Sequence, residues 1–289
     1  MSPVLKNAFS AFALRCPDTF HAVRGIPGNV AHRTAQGQDG AVRFSGRLFH
    51  PGTAPFRAQT GGIWYTGSTM DAPTVFFDLD GTLIDSRKDI AASVNRTRAD
   101  YGLPPLPLEA ITGMVGNGVR QLLLRAMPEH EAQIEALVEN NRAHYAAHPV
   151  VHTTMYPGVP EALAELKQMG CRLAVTSNKT ASLIPRILEK LGILRYFDVT
   201  VGSGDVPVLK PDPGLLYLAA ERMGVAVRPE DWVVGDHYTD LEVGRRAGVH
   251  VCHCAYGFGN PREERFDVRV NDLREFAAWV RALPDVCGR

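Results

Sequence analysis

Residues 74–83 of this chain have the sequence Thr74-Val-Phe-Phe-Asp78-Leu-Asp80-Gly-Thr-Leu83. The β-branched and aromatic residues before Asp78 favour a short buried strand. Asp78 and Asp80 then stand at the end of that strand, and the glycine after them lets the backbone turn closely around an anion. Two carboxylates at this place suit a nucleophile and a neighbouring acid. A solvated acidic turn has the same short pattern, so the rest of the chain must distinguish the two hypotheses.

Strand and helix patterns alternate after this first strand. Further runs of β-branched or hydrophobic residues, each bounded by Gly, Asp or Asn, predict strands at 172–176, 198–201, 232–235 and 250–253. Apolar residues at helical spacing lie between these runs, and Asp212-Pro213 predicts a helix that has Asp212 as its cap and the proline in its first turn. The alternation predicts an α/β fold with a doubly wound, Rossmann-like parallel sheet, whose ligands bind at the carboxyl ends of the strands.

One interval, residues 86–155, departs from this alternation. It has no strand pattern but carries apolar stripes at helical spacing, for example Val119, Leu122 and Leu123. We therefore predict an all-helical insertion over residues 86–155. The sheet-containing core is then formed by residues 71–85 and 156–289.

Polar side chains follow three later strands at the points where those strands are predicted to end. Ser177 and Asn178 offer a hydroxyl and an amide, Lys210 offers a compact cation, and Asp236 and Asp240 offer two more acids. Because the carboxyl ends of parallel strands meet at one edge of a sheet, we expect all of these groups to converge on the two carboxylates of the first strand. This convergence favours a functional site over an acidic turn.

These motifs, in this order, resemble the four motifs of the haloacid dehalogenase superfamily of phosphotransferases. The resemblance covers residues 71–289, and the insertion resembles the helical cap of the first type found in that superfamily. Residues 115–123 and 255–259 are similar to the phosphoglycolate phosphatase group. The resemblance implies a hydrolase acting on phosphoric monoesters, with a small phosphorylated metabolite as its ligand.

The resemblance also implies roles for the core residues. Asp78 would attack phosphorus and form an aspartyl phosphate, while Asp80 would protonate the leaving oxygen and then activate water. Mg²⁺ would be the cofactor, since its ligands would all be oxygen atoms, and Asp240 would orient Lys210 or metal-bound water. The ligands of the metal would be Asp78, the carbonyl of Asp80, and Asp236. Phosphate would be bound by Gly81, Thr82, Ser177 and Asn178, and its charge would be neutralised by Lys210.

The insertion carries the candidate substrate selector. Gly116 and Gly118 flank Asn117, so backbone amides can approach a small anion closely, and Arg120 can pair with a carboxylate. This pattern favours 2-phosphoglycolate as the substrate, although a helix start with a solvated arginine gives the same pattern.

Several alternatives to a phosphoglycolate phosphatase stay open. The nearest are a sugar phosphomutase resembling β-phosphoglucomutase and a phosphatase of another small metabolite. A non-catalytic module that binds a phosphorylated ligand is more remote, and a phospho-accepting receiver domain would not contain so large a helical insertion. Asp80 argues against a dehalogenase and a phosphonate hydrolase. His237 replaces the small residue that usually follows Asp236, and it either contacts phosphate, alters the surroundings of the metal, or is a surface histidine.

Composition excludes other classes of function. The 289 residues include 31 basic and 31 acidic ones, which argues against a nucleic-acid partner, and they contain no apolar run long enough to span a membrane. Five scattered cysteines do not form the framework of a secreted protein, so we expect a cytoplasmic location. The run His250-Val-Cys-His-Cys254 suggests either a metal cluster or, as we favour, buried strand cysteines. The oligomeric state is not predicted.

Residues 1–70 differ from the rest of the chain. They contain seven basic and two acidic residues, several Gly and Pro clusters and no sustained periodicity, so we expect a poorly ordered leader. It is an organelle-targeting segment, a small interaction module, or the product of a start codon assigned too early, in which case it is not part of the native protein. The last hypothesis is the simplest, because Met70 stands just before the first strand.

Overall fold

The computed structural model describes residues 72–283 and, separately, two short strands near the beginning of the chain. These strands, Arg43–Phe44 and Arg47–Leu48, pair antiparallel and belong to a unit, Met1–Tyr65, that is distinct from the unit Thr66–Arg289. The prediction of a poorly ordered leader otherwise falls outside the described residues.

The larger unit is built on a parallel sheet of six strands. In chain order they are β1 (Thr74–Phe77), β2 (Arg172–Thr180), β3 (Val199–Ser203), β4 (Trp232–Gly235), β5 (His250–Cys254) and β6 (Val268–Val270). Their order across the sheet is β6-β5-β4-β1-β2-β3, and every neighbouring pair is parallel. The chain thus extends the sheet first to one side of β1 and then to the other, which confirms the predicted doubly wound α/β fold.

The five predicted strands are present, with small shifts at the ends of β3 and β5 and two larger differences. Strand β2 continues past residue 176 to Thr180, so it carries the polar motif along its own end. The sixth strand, Val268–Val270, was not predicted, because three residues at the edge of a sheet carry too short a pattern.

Between β1 and β2 the chain forms the helical insertion. Its elements are α1 (Arg87–Asp100), α2 (Leu108–Thr112), α3 (Val119–Ala126), a 3-10 helix (Pro128–Gln133) and α4 (Ile134–Ala147). Buried apolar side chains such as Val94, Leu123 and Leu137 hold these helices together. At the base of the insertion, Ile84–Asp85 pairs antiparallel with Thr154–Met155, so the segments that enter and leave the insertion lie side by side. This ribbon joins the insertion to the core at the end of the sheet where β1 stops. Thr154–Met155 is thus a short strand within the range 86–155 that was predicted to be all-helical.

Five helices cover the sheet. They are α5 (Val159–Gln168), α6 (Ile184–Lys190), α7 (Gly214–Arg222), α8 (Tyr238–Ala247) and α9 (Leu273–Arg281), and two 3-10 helices (Ala181–Leu183 and Leu194–Tyr196) precede and follow α6. Within residues 72–283, none of the helices combines the length and the apolar character that crossing a bilayer requires.

Both faces of the sheet are buried, which explains why its strands are nearly continuous apolar runs. Along β1, Val75 and Phe77 join the larger apolar cluster, which continues into the insertion, whereas Phe76 packs on the opposite face with residues of α7 and α8. Helix α7 begins one residue later than predicted: Pro213 precedes the first turn, and the Asp212 carboxylate accepts the amide of Gly214 at 2.9 Å. The fold therefore holds β1 rigidly and presents the residues that follow it at the carboxyl edge.

Candidate active site

Asp78 and Lys210 form the centre of the site. The Lys210 Nζ donates to Asp78 Oδ1 at 2.8 Å, to Asp240 Oδ1 at 2.6 Å and to the carbonyl of Thr176 at 2.7 Å. All three ammonium protons are thus used, so the cation is fixed in position. Burial alone would lower the pKa of Lys210, but the two carboxylates outweigh it and raise the pKa above its ordinary value.

The pKa of Asp78 is raised to about 6. Burial of the carboxyl group is the main cause; the charge of Lys210 acts in the opposite direction, and the charge of Asp240 adds to the rise. Lys210 pairs with both Asp78 and Asp240, and Asp236 lies beside them with no cationic partner among the described residues, so the site has a surplus of negative charge that a further cation would relieve.

Asp80 is held by a second buried lysine. Its carboxylate accepts Lys179 Nζ at 3.0 and 3.1 Å and Ser86 Oγ at 2.5 Å. The same ammonium group lies 4.2 Å from the ring centroid of Tyr145, which belongs to α4 of the insertion. Burial would lower the pKa of Lys179, but the charge of Asp80, the ring hydroxyl of Tyr145 and the hydrogen bonds to Asp80 together raise that pKa above its ordinary value. Asp80 is therefore oriented from the core and from the insertion together.

Asp236 is surrounded closely by backbone. Its Oδ2 accepts the amide of Gly259 at 2.6 Å, and its Oδ1 accepts Thr82 Oγ1 at 3.3 Å. Gly81 has a φ of +93°, and a Cβ at this position would lie 2.0 Å from Asp236 Oδ2. Neither Gly81 nor Thr82 is among the residues that line the cavity. Both residues position the Asp236 carboxylate instead.

Three carboxylates form a group that can hold a metal ion. Oxygen atoms of Asp78, Asp236 and Asp240 lie within 4.8 Å of one another. Burial, with the charges of Asp240 and Asp78, raises the pKa of Asp236 well above its ordinary value. Hard oxygen donors with unbalanced negative charge fit a divalent cation such as Mg²⁺. Asp240 accepts Lys210 Nζ and, through its other oxygen, the amide of His237 at 3.0 Å.

The alternative metal cluster at residues 250–254 does not form. His250 is exposed, whereas Cys252 and Cys254 are buried and free. Cys252 and Cys254 share one face of β5 and join the larger apolar cluster, whereas alternation places His253 on the opposite face.

Asn178 joins the core to the insertion. Its Oδ1 accepts the amide of Lys210 at 2.8 Å, and its Nδ2 donates to the carbonyls of Lys210 at 3.1 Å and Gly116 at 3.0 Å. Both protons of the side-chain amide are thus used by the protein, although Asn178 itself lines the cavity. Ser177 is buried and lines the cavity, and its Oγ accepts the amide of Lys179 at 3.3 Å. The hydroxyl proton of Ser177 remains available to a ligand.

A loop of the insertion packs on the beginning of α8. Gly116 has a φ of +118°, and a Cβ there would lie 2.6 Å from the ring of His237. Next to it, Asn117 Nδ2 donates to the hydroxyl of Tyr238 at 2.7 Å. His237 is therefore not a surface histidine: burial lowers its pKa to about 4, so the ring is neutral at pH 7. These contacts close the insertion over the carboxyl edge of the sheet.

The closed arrangement encloses a cavity of about 90 Å³. Asp78, Ser177 and Lys210 line it from the core, while Tyr145 and Arg142 line it from the insertion. The candidate nucleophile Asp78, the cation Lys210 and the hydroxyl of Ser177 thus face one small cavity.

Comparison with known proteins agrees with this geometry. A family model described as haloacid dehalogenase-like hydrolase matches residues 75–254. The chain belongs to this family. It is 40% identical over 185 residues to a phosphoglycolate phosphatase of Aquifex aeolicus, a match that covers 64% of this chain and 85% of the relative. A phosphoglycolate phosphatase of Agrobacterium fabrum is 36% identical over 219 residues, which cover 73% of this chain and 92% of the relative.

Solved structures of the same kind resemble this hydrolase. The crystal structure of a predicted phosphoglycolate phosphatase from Haemophilus somnus matches with a TM-score of 0.67 and 27% identity, covering 73% of this chain and 99% of the other. A haloacid dehalogenase-like hydrolase from Streptococcus pneumoniae matches with a TM-score of 0.64 and 26% identity over 73% of this chain and 99% of the other. The family resemblance drawn from the motifs is confirmed.

Two predicted substrate ligands of the hydrolase lie away from the cavity. The guanidinium of Arg120 forms an ion pair with Glu135, and its side chain is 52% exposed. The side chain of Asn117 donates a hydrogen bond to Tyr238 and accepts one from Arg125 through its Oδ1 at 2.9 Å. Neither residue lines the cavity, whereas Gly116 does. The loop therefore contributes its glycine and its backbone to the site, but not the arginine.

Lys179, Arg142 and Tyr145 also line the cavity, and none of them was assigned a role from the sequence. Lys179 directly follows Ser177-Asn178, so its place at a strand end could have indicated it. Arg142 and Tyr145 gave no such indication, because they lie on α4, whose pattern was interpreted only through its apolar stripe. Their approach to the site depends on how the insertion packs on the core.

Proposed function

We propose that this protein is a Mg²⁺-dependent phosphatase that hydrolyses a small carboxylated phosphate monoester, with 2-phosphoglycolate as its substrate. The small closed cavity in which Asp78 faces Lys210 and Ser177 carries the proposal. At about 90 Å³ it suits a compact metabolite better than a drug-sized ligand, which needs roughly 300–1,000 Å³. The relatives named phosphoglycolate phosphatase support the same substrate.

In the proposed first step, an oxygen of Asp78 attacks phosphorus as the bond to the leaving oxygen breaks, which gives an aspartyl phosphate. Lys210 neutralises charge on Asp78 and on the phosphoryl oxygens, and the free hydroxyl proton of Ser177 donates to one of those oxygens. Asn178 acts indirectly, since it fixes the backbone of Lys210 from both sides.

Asp80 is the proposed acid and base. It protonates the leaving oxygen in the first step, and in the second step it takes a proton from the water that attacks the aspartyl phosphate and releases inorganic phosphate. Lys179 and Ser86 hold its carboxylate in position for both transfers.

Mg²⁺ would be held by Asp78, by the backbone carbonyl of Asp80 and by Asp236. When bound, it supplies positive charge that offsets the repulsion between a carboxylate and a phosphate dianion. Asp240 is proposed to position Lys210 and the amide of His237, and Gly81, Thr82 and Gly259 position Asp236.

The insertion, residues 86–155, is proposed to act as a cap on a core formed by residues 71–85 and 156–289. Contacts of Gly116 with His237 and of Tyr145 with Lys179 support a closed state in which water is excluded during the first step. The free, buried Cys171, Cys252 and Cys254 suit a reducing compartment, so we place the protein in the cytoplasm.

The test is the release of inorganic phosphate from 2-phosphoglycolate, compared with hexose phosphates, in the presence of Mg²⁺. We expect a higher kcat/KM for 2-phosphoglycolate, and we expect Asp78→Asn to reduce turnover by several orders of magnitude while circular dichroism shows an intact fold. Near-normal turnover by this variant would exclude the aspartyl-phosphate mechanism. Transfer of phosphate between sugar positions without net release would identify a phosphomutase instead.

A further inference from the structure

The cavity contains three cationic side chains, and two of them are neutralised by the protein itself. Lys210 pairs with Asp78 and Asp240, and Lys179 pairs with Asp80. Arg142 lines the same cavity, and among the described residues no carboxylate lies within ion-pair distance of it. Its Nε is buried and makes no hydrogen bond. Arg142 as a whole is half-buried, but a buried Nε donor without a partner is unfavourable, so a ligand group that accepts a hydrogen bond from it would be stabilised here.

We propose that Arg142 is the residue that selects the substrate, by binding the carboxylate on the leaving-group side of the phosphate ester. This inference rests on the proposed phosphatase function and assigns its specificity to a residue of α4. It replaces Arg120, whose guanidinium is already paired with Glu135.

The position of Arg142 fits the direction in which the substrate must lie. The proton donor has to reach the leaving oxygen, so the organic part of the ester lies on the Asp80 side of the phosphate. That side is bounded by Lys179, whose ammonium group contacts the ring of Tyr145 on α4. Arg142 stands one helical turn before Tyr145 and therefore on the same face of α4. A carboxylate one carbon beyond the leaving oxygen is thus directed towards the guanidinium.

Arg142 also marks the outer limit of the cavity. Besides the catalytic groups, it lines an open groove formed with Thr180, Ser182 and Asp205. A guanidinium at the boundary between an enclosed site and an open groove can bind the far end of a short substrate with two parallel hydrogen bonds. Arginine in this place therefore favours esters that carry a carboxylate over esters of the same size that carry none.

The test compares two substrates that differ in one group. 2-Phosphoglycolate carries a carboxylate where 2-hydroxyethyl phosphate carries a neutral hydroxymethyl group. We expect Arg142→Gln to lower kcat/KM for 2-phosphoglycolate roughly 10- to 150-fold more than for 2-hydroxyethyl phosphate, the range of a charge-assisted hydrogen bond. The kcat/KM of Arg142→Lys for 2-phosphoglycolate should lie between those of Arg142→Gln and the wild type, because lysine keeps the charge but not the paired donors. Arg120→Gln is the matched control, and its kcat/KM for each substrate should stay within about twofold of the wild-type value.

The outcomes separate this inference from the proposed function. Equal losses on both substrates, or no loss in Arg142→Gln with an unchanged melting temperature, would overturn the role of Arg142 while wild-type preference for 2-phosphoglycolate still supports the function. The wild type is also assayed on 3-phosphoglycerate and 2-phospholactate. If it prefers one of these and Arg142→Gln removes that preference, the proposed substrate is wrong and the role of Arg142 stands. If the wild type prefers no carboxylated ester to 2-hydroxyethyl phosphate, both are wrong.

Discussion

Gly116→Ala tests whether the closed insertion is the catalytic state of the enzyme. The Cβ of an alanine would lie 2.6 Å from the ring of His237, about 1 Å closer than carbon atoms normally approach. The alanine would also have to keep a φ of +118°, which residues other than glycine rarely adopt. The loop must therefore withdraw from α8, and the insertion must open.

The size of the effect follows from these contacts. A non-glycine residue at such a φ costs about 1–3 kcal/mol. Withdrawal of the loop also breaks the 3.0 Å hydrogen bond from Asn178 to the carbonyl of Gly116, which contributes about 1 kcal/mol. The hydrogen bond is lost only when the loop withdraws and relieves the strain, so the two costs are not additive; the strain destabilises the closed state by about 1–3 kcal/mol, and we expect kcat/KM to fall roughly 5- to 160-fold.

The assay measures phosphate release from 2-phosphoglycolate at saturating Mg²⁺, together with thermal unfolding. Gly102→Ala is the matched control: Gly102 also lies in the insertion and has a φ of +70°, but a Cβ there would meet nothing within 4 Å. It should lose about 1 kcal/mol of stability and keep its activity within about twofold. If Gly116→Ala is as active as Gly102→Ala, the contact of Gly116 with His237 has no part in catalysis and the reasoning is refuted.

Two further predictions concern the metal and the base of the insertion. Chelation should abolish phosphate release, Mg²⁺ should restore it and Ca²⁺ should not, because its larger and looser oxygen shell misplaces Asp78; full activity in excess chelator would contradict the metal site. Asp89→Asn should lower Tm at pH 7 by roughly 2–6 °C, because the carboxylate accepts the Thr153 hydroxyl and the amides of Val151, His152 and Thr153. Burial alone would raise the pKa of Asp89, but these hydrogen bonds outweigh it and lower the pKa. The ionised form therefore stabilises the fold above about pH 4, and this stabilisation is lost as the pH falls through the lowered pKa. The difference in Tm between wild type and variant should therefore shrink in acid, and a constant difference from pH 7 to pH 3 would be evidence against the assignment.

The sequence by itself determined the architecture and the members of the central cluster. Buried strands such as β1 and β4 are continuous apolar runs because helices cover both faces, so they are visible without any knowledge of contacts. Once the strands are parallel, Asp78, Lys210 and Asp236 must meet at the carboxyl edge, whatever the details of packing. The motif pattern therefore predicted both the family and this convergence.

Only the tertiary structure decided which side chains face the cavity and which support it. Thr82 and Asn178 have the right chemistry for phosphate, yet their polar atoms are used to position Asp236 and Lys210. Arg120 belongs to residues 115–123, which are similar to the phosphoglycolate phosphatase group, but its position on α3 places its guanidinium beside Glu135. Arg142, on helix α4, for which the sequence pattern predicted only an apolar stripe, lines the cavity instead. Strand ends are fixed by local pattern and sheet topology, whereas the face that a helix turns towards a site depends on the packing of the whole insertion, which no short stretch of sequence encodes.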